Sequence, residues 1–146
     1  MNSFDTNVLL YAVNSDADDH AACKQIVDRA VAEPDSWIIA EQVWFELYRL
    51  LRNPNVLTRP LTAVQAADLI AWYRNRSGWK QCAWTPPSMR SLDSIWRSER
   101  FPMRRSFDAV LSVTLKTYGV TTLYTRNTKD FVDFGFFELI DPVAQY

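Results

Sequence analysis

Short apolar runs separated by longer stretches of helical period set the rhythm of this chain. Asn2–Phe4 reads as a very short strand that ends at Asp5. Thr6–Val13 reads as a short helix, because Val8, Leu9, Tyr11 and Ala12 recur at intervals of about three and four. Ser15–Asp19 gives an acidic start, favoured by the positive end of a helix, to a second helix. It runs through Ile26, Val27, Ala30 and Val31 and stops before Pro34. Ser36–Ala40 (Ser-Trp-Ile-Ile-Ala) predicts a strand buried on both faces. Glu41–Arg52 predicts a helix with Val43, Leu47, Leu50 and Leu51 as its core stripe, ended by Asn53-Pro54. Thr62–Arg76 predicts another, capped by Thr62 with Gln65 three residues on and closed by Gly78. Lys80–Trp84 alternates loosely, as a strand would, and Ser88–Arg100 reads as helix after Pro86-Pro87. Phe107–Tyr118 has the clearest helical period, with Ser106 as its cap and Gly119 behind it. Thr121–Thr125 and Phe136–Ile140 read as the last two strands.

Strands alternating with helices imply an α/β fold: one domain over residues 1–146, with a mainly parallel central sheet flanked by helices. In such sheets the functional crevice lies beyond the carboxyl ends of the strands. Asp5 follows one strand, and Asn127 and Asp130 follow another, so the pattern sends polar residues to that edge. With 146 residues and 48% apolar composition, one core can offset the entropy of ordering the chain. Only 3 glycines, and no GxGxxG, speak against a glycine-rich nucleotide loop and a dinucleotide-binding oxidoreductase. No apolar run approaches the roughly 18–20 residues of a membrane helix. The opening lacks the charged start and apolar stretch of a secretory signal, so a cytoplasmic location is the expectation. Cys23 and Cys82 lie far apart without a CxxC pair and are expected to be reduced core thiols rather than zinc ligands. The single histidine, His20, excludes multi-histidine sites and speaks against a Ser-His-Asp triad. It is expected on the surface early in a helix.

The net charge of -1 does not advertise a nucleic-acid binder, but its distribution changes the picture. Residues 74–105 hold 8 basic groups (Arg74, Arg76, Lys80, Arg90, Arg97, Arg100, Arg104 and Arg105) against Asp93 and Glu99, a balance of +6. Residues 1–73 balance at -5 (5 basic, 10 acidic) and residues 106–146 at -2 (3 basic, 5 acidic), which restores -1. A basic block in an otherwise acidic chain can neutralise phosphates, or it can be an ordinary solvated face. Arg100, Arg104 and Arg105, just before Asp108, are the candidates for gripping RNA phosphates. Arg126 and Lys129 can do the same, or offset the charge of nearby acids.

Four acids stand out, each with an ordinary alternative. Asp5, at a strand-to-helix junction, suits an N-cap. Asp108, in the first turn of its helix, suits the macrodipole, yet shares a side with Leu111 and Leu115 and so borders the core. Glu46 lies at the edge of an apolar stripe, where an acid is costly unless it pairs with Arg49 or Arg52 or binds a cation. Asp130 can be a turn residue. Two carboxylates about 4 Å apart repel by roughly 4 kcal/mol at an effective dielectric of about 20, so a cluster of such groups needs cations. Hard divalent ions prefer oxygen ligands, and a carboxylate site holding them serves phosphodiester hydrolysis.

These segments together resemble the PIN-domain family, and within it the VapC-type toxins of bacterial and archaeal type II toxin–antitoxin pairs. The resemblance runs from Phe4 to Pro142. Phe4-Asp5-Thr6-Asn7-Val8-Leu9 resembles the family's opening, and Glu46 in Val43-Trp44-Phe45-Glu46-Leu47-Tyr48-Arg49 its helical glutamate. Asp108 in Ser106-Phe107-Asp108-Ala109-Val110-Leu111 resembles its second-half aspartate, and Thr125-Arg126-Asn127-Thr128-Lys129-Asp130-Phe131 the segment that closes its site. The resemblance implies a Mg²⁺- or Mn²⁺-dependent endoribonuclease, often a homodimer, neutralised by a small DNA-binding antitoxin. Asp5, Glu46 and Asp108 would hold the metal and its water, with Asp130 a fourth catalytic candidate. Thr6 and Asn7 would orient Asp5 by hydrogen bonds. Many relatives carry an acid two residues after the Thr or Ser, where this chain has Asn127. Either Asp130 supplies the missing charge, or Asn127 ligates through its amide oxygen or a water.

Two other functions compete. A phosphatase of the haloacid-dehalogenase type would use Asp5 as nucleophile, but it resembles Asp-x-Asp after a strand, whereas this chain has Asp5-Thr6-Asn7. A catalytically degenerate PIN domain, acting as an RNA-binding or scaffold module, finds its support in Asn127. Of the 6 tryptophans, Trp44 and Trp72, with Tyr48 and Tyr73, can line a groove for an antitoxin helix, or can simply pack in the core.

Overall fold

The computed structural model describes residues 1–144. Five strands of three residues each carry the sheet: β1 Asn2–Phe4, β2 Ile38–Ala40, β3 Lys80–Cys82, β4 Thr122–Tyr124 and β5 Glu138–Ile140. All pair parallel, with Ser3 opposite Leu123, Leu123 opposite Leu139 and Ile39 opposite Gln81. A parallel bridge between Asn2 and Trp37 joins the two ladders, so the strands run in the order β3-β2-β1-β4-β5. Six helices connect them: α1 Thr6–Val13, α2 His20–Ala32, α3 Glu41–Leu51, α4 Ala63–Asn75, α5 Met89–Trp96 and α6 Ser106–Thr117. The expected single α/β domain with a parallel sheet is therefore what forms.

Central strands covered by helices explain the fully apolar β2, buried at all three positions. The main core gathers Phe4, Leu9, Trp37, Ile39, Leu47, Leu51, Leu115 and Leu123. In it Phe4 stacks on Trp37 with ring centroids 4.4 Å apart. A smaller core under α5 and α6 is built on Leu92, Ala109 and Val113, with Phe101, Phe134 and Phe136 at its margin. Cys23 and Cys82 are buried free thiols, as expected. Thr62 forms the capping box expected of it, its hydroxyl accepting from Gln65 N–H while the Gln65 side chain accepts from Thr62 N–H.

Several boundaries differ from the sequence pattern, for physical reasons. The second helix begins at His20 rather than Ser15, because the acids before it are engaged elsewhere. Asp16 bonds Arg59, and Asp19 bonds Arg126. His20, half-buried, points Nδ1 at the Tyr11 carbonyl, 2.9 Å away. α5 stops at Trp96 instead of Arg100, since Arg97, Ser98, Glu99 and Arg100 are all exposed and give packing no apolar face to hold a further turn. Ser106 does not cap α6. It is the first helical residue, and its hydroxyl donates to the Met103 carbonyl.

Because every strand points the same way, their carboxyl ends form one edge. α3 follows β2 at once and starts at that edge. α6 returns toward β4 and so also begins there. This places Glu46 and Asp108 on helices that open where β1 and β4 end.

Candidate active site

Asp5 is the fixed point of the site. Its N–H donates to the Tyr124 carbonyl (2.9 Å), extending the β1–β4 ladder by one residue. The residue is 7% exposed, and both carboxylate oxygens are held: Oδ1 accepts from Thr6 N–H (2.7 Å) and Oδ2 from the Thr125 hydroxyl (2.9 Å). Asp5 is thus the N-cap of α1, as its sequence position allows, and faces the other acids as well. Burial pushes its carboxyl up to about 7, the Thr125 hydroxyl opposes this, and Asp108 and Glu46 raise it further.

Glu46 makes no ion pair with Arg49 or Arg52; Arg52 bonds Tyr48 instead. Each Glu46 oxygen accepts one hydrogen bond: Oε2 from the Thr6 hydroxyl (2.8 Å) and Oε1 from Gln42 Nε2 (2.9 Å). Thr6 therefore links two acids, its N–H on Asp5 and its hydroxyl on Glu46, which lies forty residues after Thr6 in the chain. Asp108 sits half-buried in the first turn of α6. Burial, then Asp130 and Glu46, push its carboxyl up to about 6 against the opposing pull of Arg105 and Arg104. Asp130 ends a 3₁₀ turn, Thr128–Asp130, and its carboxylate is bound by Arg104 Nη1 at 2.6 Å.

Glu46 and Asp108 thus lie close enough to Asp5, and Asp130 and Glu46 close enough to Asp108, to add to the rise that burial gives those two carboxyls. The four acids do not form a closed cage: among the described residues no three acidic, histidine or cysteine side chains make a ready-formed metal-binding group. All the side chains in the cluster offer oxygen, the donor that hard divalent cations select. Their mutual repulsion is what such a cation would relieve.

Other expected residues are distributed unevenly. Thr6 acts on Asp5 through its backbone. Asn7, half-buried, makes no side-chain hydrogen bond among the described residues. Asn127 enters through its backbone, its N–H donating to the Thr125 hydroxyl at 3.0 Å, which orients the group that grips Asp5. Arg104 and Lys129, both exposed, flank Asp130, and Arg100 is exposed beside the Phe101–Phe134 cleft. Arg105 corrects the expectation that it meets RNA. It is 7% exposed, donates through Nε and Nη2 to the Asp130 carbonyl (3.0 and 2.7 Å), and lies against the rings of Phe101 and Phe134. A guanidinium stacked on two rings and spent on a carbonyl is a structural clamp. Arg126 is likewise engaged, by Asp19 and Asp141. Two participants were not read from the sequence. Thr125 was visible only as part of a motif, and Gln42 only as a polar residue four positions before Glu46.

A groove of about 830 Å³ runs between α3 and α4, lined by Trp44, Phe45, Tyr48, Ile70 and Cys82. Trp44 and Tyr48 are among its lining residues, Trp44 being buried in the core as well. Tyr73 is core, stacked on Trp79 at 5.2 Å, and Trp72 lies outside the groove.

Comparison with known proteins agrees with this geometry. The PIN domain family profile matches residues 4–136. Ribonuclease VapC24 of Mycobacterium tuberculosis is 39% identical over 144 residues, covering 99% of this chain and 98% of that protein. Among solved structures, FitAB bound to an IR36 DNA fragment superposes with a TM-score of 0.69 at 14% identity, covering 100% of this chain and 98% of the other. FitAcB from Neisseria gonorrhoeae gives 0.67 at 15%, with 99% and 100% covered. Mycobacterium tuberculosis VapC20, described as a Sarcin-Ricin loop cleaving toxin, gives 0.63 at 15%, with 84% and 87% covered. At such low identity these structures speak to the fold. With the matched profile and the full-length relative, they lead to one conclusion: the chain belongs to the PIN-domain family, among its VapC-type members.

Proposed function

We propose that this protein is a Mg²⁺- or Mn²⁺-dependent endoribonuclease and the toxin of a VapBC-type toxin–antitoxin pair. The observation that carries the reading is that Asp5, Thr6 and Glu46 are tied together at the carboxyl edge of the sheet with Asp108 beside them, where burial first, and the neighbouring acids after it, lift Asp5 to about 7 and Asp108 to about 6. Asp5, Glu46 and Asp108 are the groups that would hold the ion, and Asp130 adds negative charge beside them. A bound divalent cation supplies Lewis acidity, activation of water and relief of charge on the phosphodiester. The chain's own part is to keep these acids aimed. Thr125 and the Thr6 N–H hold the Asp5 oxygens, and the Thr6 hydroxyl and Gln42 hold those of Glu46. The proton that burial favours on Asp5 must leave before a cation can take its place, so binding should release protons. Arg100, Arg104 and Lys129, on the flank, are the groups that would contact RNA phosphates.

The relatives support the biological setting: one is named a ribonuclease, one a loop-cleaving toxin, and one is a complex bound to DNA. A small DNA-binding antitoxin as partner, a homodimer and a cytoplasmic location follow as parts of the same proposal. Among the described residues no helix is long and apolar enough to cross a membrane.

The test is direct. Purified protein should cut single-stranded or structured RNA with Mg²⁺ or Mn²⁺ and stop on chelation. Asp5→Asn and Asp108→Asn should each lower kcat at least about 100-fold while circular dichroism stays unchanged. Cleavage that persists in EDTA would sink the proposal. Asn127, and the absence of a closed cage among the described residues, favour one second reading, a degenerate PIN domain that binds RNA without cutting it. RNA binding with no turnover under Mg²⁺, Mn²⁺ and several substrates would select it.

A further inference from the structure

Gln42 is half-buried on α3, one turn before Glu46, and a single amide nitrogen makes two bonds there. Nε2 donates to Glu46 Oε1 at 2.9 Å and to the Phe107 carbonyl at 3.0 Å. Phe107 directly precedes Asp108. The amide therefore bridges the helix that carries Glu46 and the first turn of the helix that carries Asp108, from positions 65 residues apart.

The orientation of this amide is forced by chemistry. Flipping it would aim the carbonyl oxygen at a carboxylate and a backbone carbonyl, two acceptors with no proton to offer. In the orientation present, the Gln42 Oε1 atom is buried without a partner among the described residues. Leaving an acceptor unsatisfied costs stability, so the two donor bonds must outweigh it. Glu46 can turn away from neither side, since its other oxygen is bound by Thr6.

We infer that Gln42 is a positioning residue that sets the spacing and orientation of Glu46 relative to Asp108, and so the geometry in which the two carboxylates share a divalent cation. The inference rests on the metal-dependent reading above. Gln42→Met keeps the length and bulk of the side chain and removes both the donor and the unpartnered acceptor Oε1, so the only bonds lost are those to Glu46 and the Phe107 carbonyl. Titrated calorimetrically with Mn²⁺ in the absence of RNA, this variant should bind about 10- to 100-fold more weakly than wild type. Its kcat at saturating RNA should fall by a similar factor, with KM within about twofold, and the metal-free melting temperature should change little. Gln42→Glu, which sets a carboxylate against two acceptors, should be worse on the first two measures.

A Gln42→Met protein that binds Mn²⁺ and turns over within about twofold of wild type overturns the inference alone. So does one that melts early with Mn²⁺ affinity intact, which would make Gln42 a packing residue. A wild-type protein that binds no Mn²⁺ overturns this inference together with the metal-dependent reading. Should Gln42→Met not fold, Gln42→Asn keeps the amide but withdraws it by one methylene. Weakened Mn²⁺ binding then supports the inference, and unchanged binding overturns it.

Discussion

Asp5 shows how much one residue can carry. It caps α1, extends the β1–β4 ladder, and has Glu46 and Asp108 beside it, so the ordinary reading of its position holds while leaving it beside the other acids. Its raised carboxyl has a consequence for stability. An unfolded aspartate titrates near about 3.9. Asp5 and Asp108, when folded, titrate at about 7 and about 6. Between those values the folded chain keeps protons that the unfolded chain has released. This contribution is full below about pH 4 and is lost as pH rises through about 6 to 7. Metal-free protein should therefore melt at a lower temperature at pH 8 than at pH 5, and Asp5→Asn should flatten the slope. A melting temperature that rises over that interval would refute the raised carboxyls of Asp5 and Asp108.

The adjacent arginines separate just as sharply. Arg105→Ala should cost about 2–4 kcal/mol in urea unfolding, because it strands the Asp130 carbonyl and empties the space against Phe101 and Phe134. Arg104→Ala should cost under about 1 kcal/mol, being an exposed ion pair, but should raise KM for RNA. Side by side in the chain, the two cannot be told apart by charge; burial alone distinguishes them.

Among the elements, the long periodic ones were legible. α1, α3, α4 and α6 fall within a residue or two of the pattern, since a helical stripe is a local property read from a few turns. What blurred were ends whose polar residues bond to distant partners, such as Asp16 and Asp19 before α2. Gly78 is an instructive junction. It lies at φ +83, and an added Cβ would stand 2.9 Å from the Pro34 Cβ, whereas at Gly119 (φ +80) nothing lies within 4 Å. Gly78→Ala should therefore lose more stability than Gly119→Ala, about 2 kcal/mol or more against about 1 kcal/mol from backbone strain alone. Equal losses by urea unfolding would mean that Pro34 yields freely.

On the scale of the whole molecule, the parallel sheet sends Asp5, Glu46 and Asp108 from distant segments toward one edge, where Arg104 pairs with Asp130 but no cation pairs with Asp5 or Glu46 among the described residues. A ligand that binds only the folded form stabilises it by mass action, by about 2.7 kcal/mol at 100 times its dissociation constant. Saturating Mn²⁺ should thus raise the melting temperature of wild type by several degrees at pH 8, and by much less in Asp5→Asn. An equal rise in both would place the ion elsewhere.

The amino-acid sequence by itself determined the order of strands and helices, the parallel α/β class and the identity of the acids, because period, capping and residue chemistry are written in neighbouring positions. Only the tertiary structure decided that Thr125, 120 residues away, grips Asp5, that Gln42 ties Glu46 to the start of α6, and that Arg105 turns inward while Arg104 stays out. Those outcomes depend on which faces meet when the sheet closes. No local period encodes a contact across more than a hundred residues of chain.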